Sequence, residues 1–317
     1  MWDEAKERDL MFDRIKGTLY GVAVGDCLGA PVEFMHYTDI QRQYGPVTEI
    51  MGGGWLGADV GKGTDDTAMT LAVAEGLMQT DRYKDDPVEK IGAEFIKWFY
   101  DAPIGAGAAC SRSIAYASQN GKVKAPRRET WFKAAEKAHY DLGGLSGGNG
   151  SLMRTAPVAL FTKGHRRDML AWDVSLMTHF DNDAAEACML YCGLIAKLIR
   201  GYDFLTARSV VISNTEYRTA SSPKTRFRPN PSGYVKDSFN TALWGMARNY
   251  SFEDTLINVV NLGGDADTTG AIAGGLAGAR YGYSEIPERW IAALDGRLKQ
   301  RLDACAEAGG IFWKCRG

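Results

Sequence analysis

No stretch of this 317-residue chain is apolar for long enough to cross a bilayer. A membrane helix needs about 20 predominantly apolar residues in a row. The strongest apolar stretch near the C-terminus, Thr268–Ala279, is shorter and broken by glycine. The opening residues, Met1-Trp2-Asp3-Glu4-Ala5-Lys6, are charged and hold no apolar signal core. The expectation is a soluble, cytoplasmic protein with no membrane partner. Charge of one sign is missing too. Lys and Arg number 37, Asp and Glu 39, and the net charge is −2. General nucleic-acid binding therefore has no electrostatic footprint, which leaves only a modified nucleic acid as a conceivable substrate. The six cysteines contain no CxxC pair and are too sparse for a disulfide scaffold. The four histidines show no HExxH spacing. Strand signals are scarce, and Ser209-Val210-Val211-Ile212-Ser213 is apolar but short.

Glycine and helical periodicity are what the chain has. The 37 glycines are about 12% of the residues against a usual ~7%. They cluster at 52–54, 143–144, 147–148, 263–264 and 274–275. Such clusters imply tight turns or close backbone approach to a ligand. Leu10, Met11, Ile15, Leu19 and Val22 predict an amphipathic helix over 5–24, ended by Gly25. The same spacing predicts helices over 67–79, 88–100, 130–140, 184–200, 234–248, 252–261, 268–281 and 287–306. The fold class is all-α. No linker divides the series, so residues 1–317 are expected to form a single domain. The basic stretch Ser221–Pro231 and the runs Lys122–Arg128 and Lys163–Arg167 read as loops.

Two segments resemble each other. Gly63-Thr64-Asp65-Asp66-Thr67 and Gly264-Asp265-Ala266-Asp267-Thr268-Thr269 each precede a helix of small residues. One Asp or Thr there is an ordinary N-cap. Pairs of carboxylates are not, because clustered like charges are unfavourable without a cation between them. If the two segments converge, they form a hard-oxygen set suited to Mg²⁺, Mn²⁺ or Ca²⁺ rather than Zn²⁺.

Five stretches together resemble the ADP-ribosylglycohydrolase family. They are Gly25-Asp26-Cys27-Leu28-Gly29-Ala30-Pro31-Val32-Glu33-Phe34, Gly63–Thr67, Gly148-Asn149-Gly150-Ser151-Leu152-Met153-Arg154-Thr155-Ala156-Pro157, Thr178-His179, and Asn261–Gly274. The resemblance implies a compact all-α, multi-helix fold with a binuclear metal site at helix N-termini. By that resemblance Thr64, Asp65, Asp66, Asp265, Asp267 and Thr268 hold two divalent cations, Mg²⁺ or Mn²⁺. Glu33, Asp65, Asp66 and Asp267 are the implied catalytic residues. Asn149, Gly150, Ser151 and His179 are the implied contacts to ADP-ribose, with His179 read at a helix start. The implied reaction removes ADP-ribose from a modified acceptor, in the first instance ADP-ribosyl-arginine on protein. A non-catalytic binding module and a hydrolase of serine, nucleobase or small-metabolite conjugates are the alternatives.

Two positions depart from the family pattern. Many members carry aspartate in a Pro-x-Asp-Ile-Gly motif; the chain here reads Asp101-Ala102-Pro103-Ile104-Gly105-Ala106-Gly107, with Gly105 best aligned to that aspartate. Cys27 replaces a small residue and reads as packing. Asp26 reads either as an acid supporting the site from behind or as the residue after the first helix, with the structural reading slightly favoured. Gly57–Thr64 fails as a P-loop, lacking both the glycine spacing and the Ser or Thr after Lys62. Cys188 and Cys192, at i and i+4, read as small core residues.

Overall fold

The computed structural model describes residues 4–101 and 103–314, so the expectations for Met1–Asp3, Ala102 and Cys315 lie outside the described residues. The chain is built from α1 (Glu4–Gly29), α2 (Tyr37–Gln43), α3 (Asp65–Met78), α4 (Pro87–Phe99), α5 (Ala108–Ala117), α6 (Arg128–Asp141), α7 (Ala156–Phe161), α8 (His165–Leu176), α9 (Asn182–Ile199), α10 (Phe204–Val211), α11 (Val235–Arg248), α12 (Phe252–Val260), α13 (Ala266–Tyr281), α14 (Glu288–Ala293) and α15 (Gly296–Lys314). Among the described residues the only sheet is β1 (Met35–His36) paired antiparallel with β2 (Gly263–Gly264). No described helix is long and apolar enough to cross a membrane.

The centre of the molecule is the crossing of α1 and α13. Gly17, Gly21, Gly25 and Gly29 recur every fourth residue and so share one face of α1. A Cβ at any of the four would come inside 3.0 Å of backbone oxygens of Gly278, Gly274, Gly270 and Ala266 respectively. As numbers rise along α1 they fall along α13, so the helices run antiparallel with their backbones in direct contact. This corrects two expectations. Gly25 does not end the first helix, which runs on to Gly29 before the Ala30-Pro31-Val32 turn. Gly274 and its neighbours serve helix packing, not a turn or a ligand. In exchange for lost side-chain volume, the last turns of α1 lie directly against the first turns of α13.

Other boundaries differ for local reasons. The predicted 287–306 helix breaks in two because the Asp295 carboxylate accepts the N–H groups of Arg297 and Leu298 and starts a new helix. Asp203 accepts from the Thr206 N–H and starts α10, so Ser209–Val211 is helical rather than extended. His165–Arg167 opens α8 instead of lying in a loop. Cys188 and Cys192 are buried in α9, as their spacing predicts.

Candidate active site

The α1–α13 crossing brings three chain segments to one point. Asp26 sits in the last turns of α1, fully buried. Its carboxylate accepts the backbone N–H groups of Thr64 (2.9 Å) and Thr67 (3.0 Å) and both their hydroxyls. Asp26 thereby serves as the anchor of the loop that starts α3, and Asp65 and Asp66 are placed in the first turn of that helix. On the other side, Asp265 caps α13 and Asp267 lies in its first turn. Their approach is held by β1–β2: Phe34 N–H donates to the Gly264 carbonyl at 2.6 Å, pinning the segment after Glu33. Gly264 has φ +63°, and a Cβ there would collide with the Pro231 carbonyl, which accepts from the Asp265 N–H. The end of the basic 221–231 loop thus braces the metal-ligand candidate Asp265.

The carboxylates fall into two groups. Oxygens of Asp26, Asp66 and Asp267 lie within 4.8 Å of one another, as do those of Glu33, Asp265 and Asp267. Asp267 belongs to both. Asp66 Oδ1 is buried without a hydrogen-bond partner. Its Oδ2 accepts from the hydroxyls of Thr64 (3.2 Å) and Thr268 (3.4 Å). A buried orphan carboxylate oxygen facing other carboxylates is costly unless a cation occupies the gap. The all-oxygen donor set fits hard divalent cations. Asp65 stands outside both groups, with the Gly105 backbone pressed against it.

A cavity of about 280 Å³ opens over this floor, and its lining includes Glu33, Asp65, Gly105, Asn149, Gly150 and His179. Asn149 Nδ2 donates to Asp265 Oδ2 at 2.8 Å, joining the glycine-rich turn to the acidic floor. Gly105 has φ +91°, and a Cβ there would lie 2.5 Å from Asp65 Oδ1. A carboxylate-bearing residue does not fit at this position as the loop runs here; backbone closes that wall. At the mouth, Trp55 Nε1 donates to Glu33 Oε2 at 2.6 Å, and the Trp55 ring lies 5.7 Å from that of Phe34.

Two expected contacts are placed differently. Ser151 does not face the cavity: its hydroxyl is fully buried and accepts from Ser175 Oγ at 2.9 Å. His179 lies between α8 and α9, not at a helix start; Asp181 is the cap of α9. Asp26, for which the sequence slightly favours a place just past a helix, is inside α1 and central to the site. Its only sequence signal is a charge in an otherwise small and apolar helical stretch.

A profile of the family described as ADP-ribosylglycohydrolase matches residues 7–315. The chain belongs to that family. It is 34% identical over 305 residues to the ADP-ribosyl-(dinitrogen reductase) glycohydrolase of Rhodospirillum rubrum, covering 94% of this chain and 97% of that one. It is 30% identical to the ADP-ribosylarginine hydrolase Tri1 of Pseudomonas putida, covering 88% and 73%. A solved ADP-ribosylglycohydrolase-related protein complex superposes with a TM-score of 0.78 at 31% identity, covering 97% and 99%. The protein is an ADP-ribosylglycohydrolase, a hydrolase of glycosidic bonds.

The charges of this glycohydrolase's site define a pH response. Burial, then mutual repulsion, holds Asp65, Asp66 and Asp267 well above the usual carboxylate range. Burial also pushes Glu33 up to about 7, with the Trp55 hydrogen bond opposing and the Asp265 charge adding. A carboxyl whose folded value is raised stabilises the fold below its unfolded value of about 4. That stability is lost as pH rises through the folded value. His179, pushed down to about 3 by burial and then by Arg154, works the other way, one group against five, since burial raises Asp26 as well. In chelator the melting temperature is therefore expected to fall between pH 5.5 and 8. Mn²⁺ or Mg²⁺ is expected to remove that fall. Thermal melts at both pH values check it, and an equal fall with and without cation would mean that the acidic floor does not hold the ion.

Proposed function

We propose that this glycohydrolase removes ADP-ribose from ADP-ribosyl-arginine on protein, using two divalent cations, Mg²⁺ or Mn²⁺. The observation that carries the reading is the pair of acidic groups sharing Asp267, one of which contains Asp66 with its Oδ1 buried and unpartnered. Of the six residues expected from sequence, Asp66, Asp265 and Asp267 would hold the ions together with Thr64 and Thr268, Asp65 would reach them only by a turn of its side chain, and Asp26 would position the Thr64–Asp66 segment. Such ions, when bound, polarise water and hold ribose hydroxyls. The protein's own groups do the rest. Asn149 and Gly150 seat the ADP-ribosyl group above Asp265. Glu33, with a value of about 7, suits proton exchange at neutral pH. Trp55 donates to Glu33 Oε2 and so fixes the orientation of the carboxyl. The arginine linkage is supported by the Pseudomonas relative, an ADP-ribosylarginine hydrolase, and the protein acceptor by the Rhodospirillum relative, which acts on ADP-ribosyl-(dinitrogen reductase). The complete acidic floor favours turnover over mere binding.

The test is ADP-ribose release from arginine-ADP-ribosylated protein with Mg²⁺, Mn²⁺ or chelator. Serine- and nucleobase-linked conjugates run beside it, because Gly105 stands where many relatives carry an acid. Cation-dependent release from the arginine conjugate alone is the expected result; release only from another conjugate would overturn the arginine assignment. Glu33→Gln is expected to keep cation binding and to lose about 10²–10⁴-fold in turnover. Calorimetric titration with Mn²⁺ and single-turnover release check the two halves. Unchanged turnover would remove Glu33 from the reaction.

A further inference from the structure

Arg154 is fully buried and makes no ion pair among the described residues. Burying a cation without a carboxylate is expensive, so its remaining bonds are informative. Nη2 donates to the Thr178 hydroxyl at 2.7 Å and to the Val174 carbonyl at 3.1 Å. Nη1 faces the sulfurs of Cys110 (3.3 Å) and Met69 (3.6 Å), and the guanidinium lies 4.5 Å from the centre of the Phe95 ring. Thr178 Oγ1 is in turn 2.8 Å from His179 Nδ1.

The proton count along this chain favours one solution over the other, in which Nδ1–H would donate to Thr178 Oγ1 and the hydroxyl would turn from its 2.8 Å ring neighbour to a sulfur 3.9 Å away. A guanidinium only donates. Thr178 Oγ1 must therefore accept from Arg154, and its second lone pair lies towards the Cys110 thiol at 3.9 Å. The hydroxyl's single proton is left for His179 Nδ1. Nδ1 then accepts, and the ring's proton sits on Nε2. That edge of the ring packs against the turn lining the cavity: a Cβ on Gly150 would be 3.4 Å from Nε2, and one on Gly148 3.5 Å. Among the described residues Nε2 has no protein partner.

We propose that Arg154 is a positioning residue that acts through Thr178 to lock His179 as the Nε2–H tautomer, a fixed neutral donor to an oxygen of the ADP-ribosyl group above Gly148–Gly150. The identity of that oxygen's owner rests on the proposed function; the tautomer does not. The lock gives His179 no role in moving protons, which separates it from Glu33.

Thr178→Val keeps the side-chain shape and removes the relay hydroxyl, while Thr178→Ser restores it. The ring-nitrogen shifts of His179 in ¹⁵N NMR of the intact protein report the tautomer directly. Calorimetric titration with ADP-ribose reports the donor. The wild type is expected to show Nε2–H. Thr178→Val is expected to lose that signature and to bind ADP-ribose about tenfold more weakly, one hydrogen bond's worth. Thr178→Ser is expected to recover both. An Nδ1–H wild type, a signature unmoved by Thr178→Val, or a Ser variant as impaired as the Val variant would each overturn the lock. A wild type with the Nε2–H signature but no ADP-ribose binding would sink the functional reading and the donor role, leaving the tautomer standing.

Discussion

Asp267→Asn is expected to slow ADP-ribose release about 10³-fold while raising the melting temperature of the cation-free protein. The two effects have one cause. Asp267 supplies oxygen to both acidic groups, and burial, then the charges of Asp66, Asp265, Glu33 and Asp26, hold its carboxyl well above the usual range. Neutralising it relieves that repulsion. The amide keeps the size and the oxygen that accepts the Thr268 N–H at 2.8 Å. With the shared ligand weakened, the several kcal/mol that bound cations supply to a transition state are forfeited, about 10³-fold in rate. Turnover at saturating Mn²⁺ and melting in chelator at pH 8 check the pair. A variant that loses activity and stability together would make Asp267 a structural residue.

Gly274→Ala is expected to cost about 3 kcal/mol, at the upper end of what overpacking a core costs. The added methyl meets the Gly21 carbonyl and its carbon inside 3.0 Å. These are backbone atoms in a helix, with no flexible end to swing aside. The helices must separate, and Asp26 on one and Asp267 on the other move apart with them. Mn²⁺ affinity should therefore fall alongside the unfolding midpoint. Gly296→Ala is the control: a Cβ there meets nothing within 4 Å. Removing unfolded-state freedom should leave that variant neutral or slightly stabilised. Denaturant melts of both compare the two directly, and equal midpoints would contradict the close-packed crossing.

The acidic floor was legible because of a surplus. One Asp before a helix is a cap, but Asp65 beside Asp66 and Asp265 near Asp267 exceed what capping uses. The helices were legible where their apolar residues repeat at helical spacing, as in α4 and α9. Ser151 and His179 were named by motif, yet the motif does not say which way a side chain turns. Ser151 is turned inward to Ser175, and His179 faces the cavity. Which of the two readings of Asp26 holds was not legible, because its partners, Thr64 and Thr67, lie 38 and 41 residues away. Nothing local to Asp26 shows that a loop will arrive to be held.

The sequence by itself determined the helical class, the family and the two acidic segments that precede helices, because periodicity, motifs and charge clustering are local properties that a chain carries before it folds. Only the tertiary structure decided that the glycines of α1 and α13 interlock, that this contact joins Asp26 and Asp66 to Asp267, and that Arg154 reaches His179 through Thr178. Those are relations between surfaces distant along the chain. They exist only once side-chain volume, or its absence at Gly21, Gly25, Gly270 and Gly274, has set how closely two backbones approach.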